Sequence, residues 1–181
     1  MKKAILILFL LAVQSFAVYV DVGLGVGAGS TKVDYESINK MCESCDNLAM
    51  SLGVRVGGQV SPNAWLAGEL SMFENQFTEN GGGKINYNHL VIGPSFVIYP
   101  VEHLHLSTTL GFAYAENSNS YSYYRNENGK GYSIALTVAY DTGFNNGALI
   151  GVRLYRSSVT MESKVNQTTL GIVLFGSYVH K

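Results

Sequence analysis

The sequence predicts an all-β fold, a closed antiparallel up-and-down barrel of about eight strands. Three observations predict it. Apolar residues recur at every second position in run after run, the connections between runs alternate long and short, and the face opposite the apolar one is built largely of small side chains. Alternation of this kind is the signature of a strand, because successive side chains point to opposite sides of a sheet.

Residues 1–17 stand apart from the fold. Lys2 and Lys3 precede an uncharged apolar run from Ala4 to Val13, and Ser15-Phe16-Ala17 puts small residues where a signal peptidase reads. This is the layout of a cleaved secretory signal, and the run is too short to span a bilayer as a helix. The expected domains are therefore a signal peptide, 1–17, and a barrel, 18–181.

The first strand carries Val18, Val20, Val22, Leu24, Val26 and Ala28 on one face, with Tyr19, Asp21 and glycines on the other. The second sets Leu48, Met50, Leu52, Val54, Val56 and Val60 against Ala49, Ser51, Gly53, Arg55, Gly57 and Gln59. The third opposes Leu66, Leu70 and Met72 to Ala67, Glu69 and Ser71, and the fourth opposes Leu90, Ile92, Phe96 and Ile98 to His89, Gly93 and Ser95. Four further runs repeat the pattern around Leu110, Leu136, Val152 and Leu174. The short connections are Ser61-Pro62-Asn63, Pro100 to His103 and Thr142 to Asn146; the long ones cover 30–47, 74–86, 116–130 and 157–167.

Alternation alone does not say which face meets lipid. A soluble barrel would show Lys and Glu on its solvent face, whereas the polar face here is mostly Gly, Ala, Ser and Thr. Small side chains suit a narrow eight-strand interior. Charged residues are only 14% of the chain, against about 25% in an ordinary soluble domain. Tyr132 and Tyr140 stand near the two ends of one apolar face, as interfacial girdles would. The expectation is a transmembrane barrel with a polar lumen and an apolar belt, exported to the outer membrane of a Gram-negative-type cell. Without Lys2 and Lys3 the chain has 10 basic and 13 acidic residues and no basic patch, which argues against a nucleic-acid partner.

Cys42 and Cys45, spaced Cys-Glu-Ser-Cys, are the only cysteines. With no βαβ pattern around them and no His nearby, a local disulfide in an oxidising compartment is expected, rather than redox chemistry or a metal site. No cofactor or metal is expected. His89 and Ser95 share a strand face but form no catalytic constellation, so the chain is not expected to be an enzyme. His103 and His105, on either side of Leu104, are expected to point to the same side as two rim residues. The third long connection contains Tyr121, Tyr123, Tyr124 and Arg125 among Ser and Asn, a composition that suits a recognition surface.

A hairpin centred on Pro62 would place Val60 opposite Ala64 and therefore Arg55 opposite Glu69, both on the lumen face and near mid-strand. Arg153 falls at similar depth across the lumen, while Asp21 and Asp141 are expected lower, at the rim. Arg55, Glu69 and Arg153 are thus expected to form a charge cluster that plugs the lumen. Reversing the pair, Arg55→Glu with Glu69→Arg, is expected to recover part of the stability lost on removing Glu69.

The signal, the Gly-rich first strand, the Val91-Ile92-Gly93-Pro94 segment of the fourth and the aromatic-containing last strand together resemble the small outer-membrane β-barrel superfamily, the porin-family or OmpA/OmpX-like barrels. Many of those end on an aromatic residue, whereas this chain ends Tyr178-Val179-His180-Lys181. The resemblance implies outer-membrane lipid and the barrel-assembly machinery as partners. The expected function is structural or surface interaction through four long outer loops, with an unidentified extracellular ligand and a monomeric barrel. The alternatives are a narrow porin-like channel for small solutes and a lipid-modifying enzyme.

Overall fold

The computed structural model describes residues 18–38, 45–78, 83–119, 126–143 and 146–181. The eight long strands are β1 (Val18–Val33), β3 (Asp46–Ser61), β4 (Ala64–Thr78), β5 (Lys84–Ile98), β6 (Leu104–Asn119), β7 (Glu127–Asp141), β8 (Asn146–Met161) and β9 (Asn166–His180); β2 is the two-residue strand Glu36–Ser37. Each long strand pairs antiparallel with its neighbour, and β1 also pairs with β9 from Val20↔His180 to Val33↔Gln167, which closes the sheet. Closure removes the sheet edges that would otherwise present unpaired backbone groups to lipid.

Except for Ser61↔Ala64 beside the β3–β4 turn, directly opposed residues on the long strands have the same parity, as in Leu24↔Leu52, Leu70↔Ile92 and Leu154↔Ile172. Even positions therefore form the outer face around the whole circumference. Leu24, Ile92, Phe112, Ile150 and Leu174 are all exposed there, and the odd positions are buried inside. An apolar belt turned outward is stable only against lipid, so the surface pattern fits a membrane barrel.

The pairing corrects two expectations. Arg55 does oppose Glu69, but Ser61 rather than Val60 opposes Ala64, because a bulge between Gln59 and Ser61 leaves Val60 as the extra residue. Bulges of this kind collect at barrel rims, where the chain must turn. Much of what reads as long loop in the sequence is strand. The segment 157–167 contains only a four-residue connection, 162–165, closed by Lys164 N–H to the Met161 carbonyl (2.8 Å) with Lys164 at φ 68°. The segment 74–86 is strand to Thr78 and again from Lys84. Backbone pairing continues past the belt because the ladder satisfies its own N–H and C=O groups whatever the side chains are. The asymmetry between the two ends thus lies less in loop length than in a polar crown of paired strand, with Lys32, Glu116, Lys130, Ser158 and Thr160 facing outward.

The lumen is not uniformly polar, as the small residues suggested. Tyr19, Trp65, Val97, Tyr99, Leu149 and Val179 pack together near the end that holds the β3–β4 turn, and Phe73, Val91, Tyr155, Val159 and Val173 pack toward the crown. The lumen glycines make room for these rings: a Cβ on Gly23 would lie 2.4 Å from Phe175, and one on Gly171 2.2 Å from Tyr155. The glycine content reflects close packing in a narrow barrel.

Candidate functional site

Between the two apolar layers lies a charge network to which seven of the eight long strands contribute. Arg55 of β3 donates from Nε to Glu69 Oε2 of β4 (2.6 Å) and from Nη1 to Asp21 Oδ2 of β1 (2.8 Å). Its Nη2 reaches the Thr137 hydroxyl of β7 (3.3 Å). Arg153 of β8 pairs through Nη2 with Glu69 Oε1. Thr109 of β6 donates to Glu69 Oε2 (2.5 Å) and lies 3.0 Å from the Ser95 hydroxyl of β5. The Tyr19 hydroxyl donates to Asp21 Oδ2 (3.2 Å). β9 supplies Phe175, which with Phe73 brackets the Arg153 guanidinium at centroid distances of 5.8 and 5.0 Å.

Two cations face two anions, so the network is neutral, and all four groups are at most 2% exposed. Charges this deep are tolerable only when paired and hydrogen-bonded. Both Glu69 oxygens are engaged, one by each arginine. Gly53 leaves space beside Arg153, since a Cβ there would come within 3.3 Å of Nη1.

The structure therefore brings Arg55, Glu69 and Arg153 together. It also corrects the placement of Asp21, which belongs to the network rather than to the rim and lies directly opposite Arg55. That pairing has no anchor in the sequence: β1 and β3 are joined by a long connection, so no tight turn sets their register. Asp141 does sit at the rim, paired with Lys181 Nζ, and Lys181 also lies over the Tyr99 ring (3.9 Å). Ser95, Thr109 and Thr137 were legible only as odd positions near mid-strand.

A second polar cluster lies toward the crown. His89 Nδ1 is 2.9 Å from the Ser157 hydroxyl, its Nε2 is 3.2 Å from Gln167 Nε2, and Asn117 donates to Gln167 Oε1 (2.7 Å). His89 is thus partnered by Ser157, not by Ser95. The third group is an amide, not a carboxylate, and His89, Ser157 and Gln167 are fully buried. His103 and His105 part company, contrary to the expected common side. His103 takes φ 67° and stacks on the outward Tyr140 ring (5.3 Å), whereas His105 points inward, 3.2 Å from the Tyr99 hydroxyl. The left-handed backbone at His103 ends the turn and breaks the strand alternation that would have aligned them.

At the crown the β1–β3 ladder stops at Gly27↔Ala49. The next pair is made by a side chain: Gly29 N–H donates to Asn47 Oδ1 (3.1 Å), and Asn47 Nδ2 donates to the Gly29 carbonyl. Cys42, Tyr121, Tyr123, Tyr124 and Arg125 lie outside the described residues, as does the signal segment 1–17. The Cys42–Cys45 bridge and the tyrosine surface therefore remain proposals.

No protein-family model matches the chain, and no curated protein matches it in sequence. Solved structures do match in shape. Ail, the attachment invasion locus protein of Yersinia pestis, solved with the heparin analogue sucrose octasulfate, superposes with a TM-score of 0.59 at 14% identity, covering 90% of this chain and 98% of that one. Neisserial surface protein A gives 0.56 at 11% identity, covering 91% of this chain and 97% of that one. The chain has the fold of the small eight-stranded outer-membrane β-barrels.

Proposed function

We propose that this chain is an outer-membrane barrel with a lumen closed to free solute passage, acting through the polar crown and the connections above it. The observation that carries the closure is the mid-lumen network: side chains from every long strand meet there, ion-paired, hydrogen-bonded or stacked, in a barrel narrow enough for side chains to fill. A pore needs a continuous wet path, and opening one here would separate charges that neutralise one another.

An interaction role is favoured over transport because the barrels of similar fold include one named for attachment and one named as a surface protein. On this reading the crown faces outward and both ends of the barrel chain lie on the periplasmic side. An enzymatic role is disfavoured because the buried Ser–His pair, His89 with Ser157, is sealed from solvent and is completed by an amide rather than an acid. Single-channel recording of the folded protein in planar bilayers tests the closure. The expected trace shows no steady large current; such currents from the unmutated protein would overturn the plug and establish the channel.

A further inference from the structure

The apolar belt is breached at one point on β8. Arg156 faces outward, directly opposite Ile134 of β7 and Leu170 of β9. No hydrogen bond or ion pair of its guanidinium is found among the described residues. Along β8 the outward residues below it are Val152 and Leu154, and those above it are Ser158 and Thr160. Arg156 therefore marks the level where the belt gives way to the crown. A cation there costs little compared with one at mid-belt, and it sits at the height of lipid headgroups.

Below Arg156 the outer surface is recessed into a groove of ≈ 540 Å³. Its walls are Leu136, Leu154 and Ile172, continued upward by Ile134 and Leu170. The recess arises because β1 presents only Ala28 and Ser30 opposite Ile172 and Leu170, so the surface drops by most of a side-chain length. The next outward residue on β1 is Lys32, a second cation beside the upper end of the groove. The neighbouring Asp34 carboxylate is engaged by the Asn166 N–H (3.0 Å).

We propose that this groove holds one membrane lipid with a phosphate headgroup. An acyl chain lies along the Ala28–Ser30 recess, and the phosphate is held by the Arg156 guanidinium, with Lys32 adding to the positive field. The groove's apolar walls favour an acyl chain, and the Arg156 cation at its upper end favours an anionic headgroup over a zwitterionic one. The proposal rests on the barrel's being membrane-embedded, so folding is checked separately from binding.

The experiment is native mass spectrometry of the detergent-folded protein with phosphatidylglycerol or phosphatidylcholine of identical chains, with folding verified by the boiled-versus-unboiled gel shift. One bound phosphatidylglycerol is expected, retained over phosphatidylcholine by about fivefold, the effect of roughly one cation near a lipid surface. Arg156→Gln should remove most of that preference while leaving some lipid bound, and Ser30→Leu, which fills the recess, should reduce retention of both lipids. Equal retention of the two lipids, or a preference untouched by Arg156→Gln, would overturn the site. Full competition by inorganic phosphate would show a simple anion site instead, and protein dimers that disappear with Ser30→Leu would show that the groove seats a second copy of the chain. Loss of the gel shift in the unmutated protein would be a failure of the barrel reading, distinct from these outcomes.

Discussion

Replacing Glu69 by Gln removes the carboxylate that joins both halves of the lumen network. Arg55 keeps Asp21 at 2.8 Å. Arg153 keeps no carboxylate partner in the network and is left between the Phe73 and Phe175 rings, 1% exposed. Orphaning a buried charge in this way costs about 3–5 kcal/mol, or roughly two to three and a half orders of magnitude in the folding equilibrium. The four-membered geometry also reverses the expectation for a charge swap. Arg55→Glu would set a carboxylate against Asp21, and Glu69→Arg would set a second guanidinium against Arg153, so the swapped pair should not rescue. Removing Arg153 as well, in Glu69→Gln with Arg153→Met, leaves the neutral Asp21–Arg55 pair and should restore most of the loss. The assay is urea unfolding in lipid vesicles followed by Trp65, the single tryptophan, which sits in the aromatic layer beside the network. A Glu69→Gln loss below about 1 kcal/mol, no more than an exposed pair is worth, or a double variant no better than the single one, would refute the reasoning.

Three other outcomes are expected. Gly171→Val should weaken the barrel by about 1–3 kcal/mol through overpacking, because even a Cβ there lies 2.2 Å from the Tyr155 ring; paired substitution with Tyr155→Phe should not relieve it, since the clash includes ring carbons, and urea midpoints of the two variants measure both effects. Asn47→Ala removes the two hydrogen bonds that stand in for the backbone at Gly29, at about 1–2 kcal/mol in total, and hydrogen exchange should speed up at the Gly29 amide while amides near Arg55 stay protected. Replacing Cys42 and Cys45 by Ser should leave the gel mobility shift intact, because a disulfide across so short a loop restrains little of the unfolded chain.

The strands were legible because each one places apolar residues on even positions, and register follows wherever a tight turn fixes it. The Pro62 hairpin shows both the reach and the limit of that logic. It placed Arg55 opposite Glu69 correctly, yet the bulge at Val60 was invisible, because an extra outward-facing apolar residue leaves the alternation looking intact. The crown reads as loop in the sequence because apolar character is lost there. In a barrel that loss marks only the end of the lipid, and the β8–β9 ladder runs on from Ser157↔Thr169 to Thr160↔Asn166. Asp21 was misplaced for the opposite reason: its partner lies across a long connection, where periodicity gives the face but not the height. The inward aromatics Phe73, Tyr155 and Phe175 occupy odd positions in plain view, and the expectation of a polar lumen obscured that they fill it.

The network's sequence separations say how it is completed. Asp21, Arg55 and Glu69 lie on the first three long strands, 34 and 14 residues apart along the Arg55 contacts, and together they carry one excess negative charge. The neutralising Arg153 is 84 residues from Glu69, on the second-last strand. The N-terminal hairpins by themselves therefore hold an unbalanced carboxylate, which water can solvate only while the lumen is open. Charge balance arrives when β8 brings in Arg153, and β9 then covers it with Phe175 and pairs with β1. Neutralisation of the lumen by β8 thus prepares the closure that β9 completes. A variant lacking Arg153 should in consequence be impaired in closing rather than in forming its first hairpins, with the loss concentrated in the β1–β9 amides.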